Sequence, residues 1–86
     1  MATPDELVAL RQFAHRVIEL AQARLAGRES MLIALEARVG PLFGRRGMTR
    51  QELADYLGVA VNRAYKLAAA VEHLLAEISA ELLSAA

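Results

Sequence analysis

The sequence predicts an all-α domain with a helix-turn-helix at its centre, long helices on either side of it and no β-wing. Three observations carry that prediction. The composition is 56% hydrophobic but only 5% aromatic, so the apolar content is mostly Ala, Leu and Val. Ala and Leu are strong helix formers, and runs of β-branched residues, which would favour strands, are absent. Apolar residues recur at helical spacing along the chain. Two capping-box sequences and two glycine-containing breaks punctuate it.

With 86 residues the chain is long enough for one domain, residues 1–86, and a core of modest size. The first helix starts at Thr3-Pro4-Asp5-Glu6. Thr caps the helix, Pro suits the first helical position, and Glu three residues on completes the box. Leu7, Leu10, Ala14, Val17, Ile18, Ala21 and Leu25 then lie on one helical face. Gly27 leaves two readings open. It can end this helix, with Ser30 capping a second one. Alternatively, a single helix runs through it, since Ile18, Leu25, Leu32 and Val39 keep a seven-residue spacing. A glycine inside a helix costs only about 1 kcal/mol. Gly40-Pro41 ends the helical stretch in either case, because proline cannot continue the hydrogen-bond ladder.

Leu42 to Gly47 reads as a basic connector. Thr49-Arg50-Gln51-Glu52 is the second capping box and opens a short helix reaching Tyr56 or Leu57, where Gly58 stops it. The last helix begins near Ala60 or Val61. Its apolar face is Ala64, Leu67, Ala68, Val71, Leu74, Leu75, Ile78 and Leu82.

Residues 49–67 are the most informative stretch. Two short helices crossing over a tight turn need a small residue at the crossing, which Ala54 supplies. They also need a turn residue tolerant of positive φ, which Gly58 supplies, and apolar fillers, for which Leu53, Leu57, Val59, Ala64 and Leu67 are available. Gln51-Glu52-Leu53-Ala54, Leu57-Gly58-Val59, Asn62 and Tyr65-Lys66-Leu67 together resemble the helix-turn-helix of bacterial and phage regulators, particularly the excisionase-like type. The resemblance covers about a quarter of the chain and implies binding of double-stranded DNA. It implies that Thr49, Arg50 and Gln51 meet phosphate at the start of the first helix, and that Asn62 reads a base. Val61 would touch a thymine methyl, Arg63 and Lys66 guanine or phosphate, and Tyr65 a sugar or phosphate. Arg45 and Arg46 are further candidate phosphate contacts just upstream. The sequence departs from the pattern at Ala60, where a capping Ser or Thr is usual, and at Val61, where a polar residue is common.

The charge distribution bears on this reading. Net charge is zero, which counts against a phosphate-binding surface. Phe43 to Leu67, however, carries five cations (Arg45, Arg46, Arg50, Arg63, Lys66) against Glu52 and Asp55, a balance of +3. Beyond Leu67 the charged residues are Glu72, Glu77 and Glu81, a balance of −3. A helix-turn-helix turned towards a protein partner, as an inhibitor or adaptor of a larger machine, is the alternative function. Zero net charge, the apolar Val61 and the acidic last helix favour it.

The last helix outruns a compact helix-turn-helix core. A homodimer is therefore expected, with Val71, Leu74, Leu75, Ile78 and Leu82 at its interface and two recognition helices presented to a pseudo-palindromic site. No cofactor and no metal are expected. The chain has no cysteine, no glycine-rich phosphate loop and no Ser/His/Asp grouping, and His15 and His73 lack partners at metal-ligand spacing. The expectation is a non-enzymatic protein. The start of the chain lacks the basic and apolar parts of a signal peptide, and no apolar run is long enough for a bilayer, so a cytoplasmic location is expected.

Overall fold

The computed structural model describes residues 3–85, which fold into α-helices α1 (Pro4–Arg24), α2 (Glu29–Val39), α3 (Arg50–Leu57) and α4 (Val61–Ala85), with a short 3-10 helix at Gly40–Phe43. No strand occurs among the described residues, and none of their helices is long and apolar enough to cross a membrane.

The first capping box forms as the sequence requires. The Glu6 N–H donates to Thr3 Oγ1 at 3.2 Å, and the Thr3 N–H donates to the Glu6 carboxylate at 3.3 Å. Pro4 opens α1 without the loss of a bond, since its missing N–H would have had no partner there.

Gly27 separates two helices. Its φ of +86° lies in the left-handed region, which a side chain disfavours. The Arg28 N–H closes the turn onto the Leu25 carbonyl at 2.9 Å. Ser30 is not the cap of α2. That position falls to Arg28, which makes no side-chain capping bond, and Ser30 lies exposed in the first turn. The seven-residue spacing persists through the break because both helices face one core. Ile18, Leu25 and Val39 are buried in it and Leu32 is half-buried.

Gly40-Pro41 ends α2 but does not release the chain into a loop. The backbone tightens into the 3-10 helix and leaves it at Gly44, whose φ is +75°. Leu42 and Phe43, expected in a loose connector, are held in this helix instead.

α4 is the strut of the fold. It is 25 residues long, about 37 Å, and packs against α1, α2 and α3 in turn. Ala64, Val71 and Ile78 on its inner face are fully buried, seven residues apart. Ala21, Leu35 and Ala54 meet them from the other three helices. No polar or charged side chain is buried among the described residues, so this core carries no polar desolvation cost.

The surface adds ion pairs that tie α4 to the first half of the chain. Arg24 pairs with Glu81 and Arg38 with Glu72. The hydrogen bond that the Arg24 guanidinium donates to the Glu81 carboxylate, reinforced by the carboxylate charge, raises the pKa of Arg24.

Val71 and Ile78, two of the five residues expected at a dimer interface, have no surface left for a partner, since each is completely buried within its own chain. Leu74, Leu75 and Leu82 are half-buried against the same core. The reason is geometric. α1 and α2 fold back as a hairpin and cover the inner face of α4 along much of its length, where a second copy was expected to cover what the first helix left bare.

Candidate functional site

The candidate site is built on α3, the turn Gly58–Ala60 and the first turns of α4. At its start the second capping box is complete: the Glu52 N–H donates to Thr49 Oγ1 at 3.1 Å, and the Thr49 N–H donates to the Glu52 carboxylate at 3.2 Å. The backbone N–H groups of Arg50 and Gln51 are the remaining donors of that first turn.

At the end of α3, Gly58 adopts φ +67°. The Val59 N–H donates to the Ala54 carbonyl at 3.0 Å and the Gly58 N–H to the Asp55 carbonyl at 3.3 Å, the paired bonds of a Schellman turn. The chain reverses there, and the Ala60 carbonyl accepts from Arg63 at 3.0 Å and Ala64 at 3.2 Å to start α4. The Ala60 side chain has no acceptor to add. α3 lies against α4 through small and branched side chains. Leu53, Ala54 and Ala64 are buried, while Leu57, Val59 and Leu67 are half-buried around them.

This packing faces Ala64, Leu67 and Val71 inward and turns another side of α4 outward. Val61, Asn62, Tyr65 and Lys66, at positions i, i+1, i+4 and i+5, share that outer side. Tyr65 is 58% exposed and Val61 36%. Arg63 is also exposed, on one flank. Thr49 and Gln51 are exposed at the start of α3, where the Gln51 side-chain amide donates to Asp55 at 2.9 Å. Arg50 is half-buried in a small cleft of about 140 Å³ beside Arg38, Leu53 and Ala68.

The upstream arginines are committed elsewhere. Arg45 pairs with Glu36 of α2. Arg46 pairs with Glu52 at 2.9 Å. The Glu52 carboxylate therefore serves the helix cap and an ion pair at once. The Thr49 backbone N–H and the nearby Arg46 charge hold its pKa below the usual carboxylate value. Arg50, Arg63 and Lys66 have no acidic partner within 4.0 Å among the described residues. With Arg45 and Arg46 paired, the charge left in the segment is that of these three side chains against Asp55, a balance of +2.

Sequence reasoning missed Glu36 as the partner of Arg45, since a pair nine residues apart across a helix end has no periodic signature. It also missed Tyr56. This ring is 67% exposed on the outer side of α3 and borders a shallow cleft with Ile33, Met48 and Arg46. No group of three or more His, Asp or Glu side chains among the described residues is placed to hold a metal ion.

No family model, curated protein or solved structure matches the chain.

Proposed function

We propose that residues 49–67 act as a helix-turn-helix that binds double-stranded DNA, with the first turns of α4 in the major groove. The observation that carries this reading is the outer stripe of α4. Val61, Asn62, Tyr65 and Lys66 are exposed together, and none of their side chains bonds to the rest of the described chain. The stripe combines an amide, a phenol, a cation and one apolar residue. That set suits base edges and backbone, because an amide pairs bidentately with adenine and a cation meets guanine or phosphate. On this reading Arg63 on its flank and Arg50 at the start of α3 add phosphate contacts, with the two free N–H groups of the α3 first turn. On this reading the protein has no catalytic role and works as a small regulator or accessory DNA-binding factor.

A second reading has its own support. Arg45 and Arg46 are neutralised by Glu36 and Glu52, and Val61 and Tyr65 stand one helical turn apart as an exposed apolar pair. Such a surface also fits a protein groove.

Selection from a random-sequence duplex library at low and moderate salt separates the two. Enrichment of a defined site, with binding that weakens steeply as salt rises, supports the DNA reading. Absence of binding at low salt overturns it and leaves the protein-partner reading.

A further inference from the structure

The first half of α1 overhangs the core. Val17, Ile18, Ala21 and Leu25 are buried, whereas Leu7 and Leu10, on the same side of the helix, are 51% and 61% exposed. Beside this overhang stands the 3-10 helix, with Leu42 64% exposed and the Phe43 ring packed on His15, centroids 5.0 Å apart. The space between is an open-sided groove of about 490 Å³, walled by Leu7, Leu10, Ala14, Leu42 and Phe43. Four of the nine large hydrophobic residues exposed among the described residues stand in it. Its polar side chains are those of Arg11 and His15, one helical turn apart on one wall, and no Asp or Glu lines it. Arg11 has no acidic partner within 4.0 Å among the described residues. The Glu6 carboxylate, one turn before Leu10, is bonded to the Thr3 N–H in the helix cap.

We propose that this groove binds a small amphiphilic anion, an apolar chain bearing one carboxylate. Charge and size select that occupant. Apolar walls, an unpaired guanidinium and the absence of any lining acid are complementary to an apolar body with a single negative head. The Arg11 guanidinium meets a carboxylate with two parallel N–H···O bonds, and an imidazole N–H of His15, one turn on, is a further donor. The tail covers Leu7, Leu10 and Leu42, which otherwise face water. A volume of about 490 Å³ lies within the range of about 300–1,000 Å³ found for small-molecule sites. A folded protein partner engages about 20–30 residues a side, and the groove offers seven. From Leu7 to Ala14 the wall is about 11 Å long, the reach of an extended chain of roughly eight to ten carbon atoms. The open side leaves part of the tail in water, so binding is weak, with a Kd of about 0.1–1 mM for such a chain.

The direct test is a titration of the full chain with monomeric octanoate, followed by the NMR shifts of the backbone amides. Saturable shifts should appear at residues 7–15 and 42–43 and not at 49–67. Octanol, with the same tail and no charge, should bind about fivefold more weakly or worse. Arg11→Gln should weaken octanoate by about fivefold or more and leave octanol unchanged. Leu42→Asp sets a like charge in the groove at an exposed position and should abolish octanoate binding with an unchanged helical circular dichroism spectrum. Absence of saturable shifts in the wild-type chain overturns the proposal, as do shifts that saturate elsewhere on the surface. Octanol bound as tightly as octanoate, or an Arg11→Gln variant that binds octanoate unchanged, overturns the anionic head. Shifts of the same amides on simple dilution of the free protein mean that a second copy fills the groove, and overturn the proposal too. The groove shares no residue with 49–67, so this result and the DNA-binding test stand or fall separately.

Discussion

Replacing Glu52 with Gln should convert one ion pair of the candidate site into an additional DNA contact. Gln keeps the reach and the acceptor oxygen needed at the third position of a capping box, so the start of α3 survives. The carboxylate charge that holds Arg46 at 2.9 Å is removed. Arg50, Arg63 and Lys66 have no acidic partner in the described chain, and three phosphate contacts give a slope of log K against log salt of about −2.7 per bound copy. Releasing Arg46 adds a fourth contact and takes the slope to about −3.6. Between about 50 and 200 mM salt the wild-type protein should lose about 40-fold in affinity and the variant about 150-fold. The variant should bind more tightly at the low-salt end. Fluorescence anisotropy of a labelled duplex, titrated at four or five salt concentrations, measures both slopes. A variant slope equal to the wild-type slope, or weaker binding at low salt with circular dichroism unchanged, refutes the reasoning that Arg46 is masked by Glu52.

Asn62→Ala should relax preference at one base pair by about 1–3 kcal/mol while leaving the salt slope intact, as read by competition among single-base variants of the selected site. Lys66→Ala should weaken binding to all sequences alike and flatten the slope by about 0.9. Ile78→Ala removes a fully buried side chain from the centre of the core and should cost about 2–5 kcal/mol in urea denaturation. The Glu52 carboxyl has a lowered pKa in the fold. Its contribution to stability is complete above the ordinary Glu value of about 4.3 and is lost as pH falls through the lower folded value. Wild-type stability should therefore drop more than that of Glu52→Gln between pH 6 and 3, and equal losses would remove Glu52 as a source of acid sensitivity.

The parts of the fold legible in the sequence are those fixed by neighbours in the chain. Thr3–Glu6 and Thr49–Glu52 are three-residue spacings, and both boxes form with reciprocal hydrogen bonds. Gly58 adopts the positive φ that the turn between α3 and α4 requires. Ala54 and Ala64, read as a small crossing residue and a corner filler, are buried where those helices meet. The sequence became ambiguous at Gly27, and for a physical reason. A helix that continues and a hairpin that folds back can bury the same seven-residue stripe, so periodicity does not distinguish them. The burial of Val71 and Ile78 follows from that fold-back and was equally hidden, because it depends on where α2 lands. Within the site, exposure of the α4 stripe was predictable from the period of the helix. The loss of Arg45 and Arg46 to Glu36 and Glu52 was not, since it depends on the path of the backbone through Gly44 and Gly47.

The neutrality of the chain, the strongest argument in the sequence against a nucleic-acid partner, has a different meaning once the pairs are placed. Two of the three acids beyond Leu67 are neutralised by arginines. Glu72 is taken by Arg38 and Glu81 by Arg24, and Glu77 lies 3.0 Å from His73. The arginines that neutralise the tail come from α1 and α2, so the pairs fasten α4 to the hairpin that covers it. Each pair adds zero to the net charge, and a ligand at the α3–α4 end sees it as a nearly neutral dipole, screened within about 10 Å at moderate salt. The charge such a ligand meets is that of Arg50, Arg63 and Lys66, set against Asp55, which shares a hydrogen bond with Gln51. A balance of about +2 on one end of a small protein is weak for DNA recognition by a single copy. A second copy doubles the contacts, and overall affinity then rises steeply because the second site binds intramolecularly.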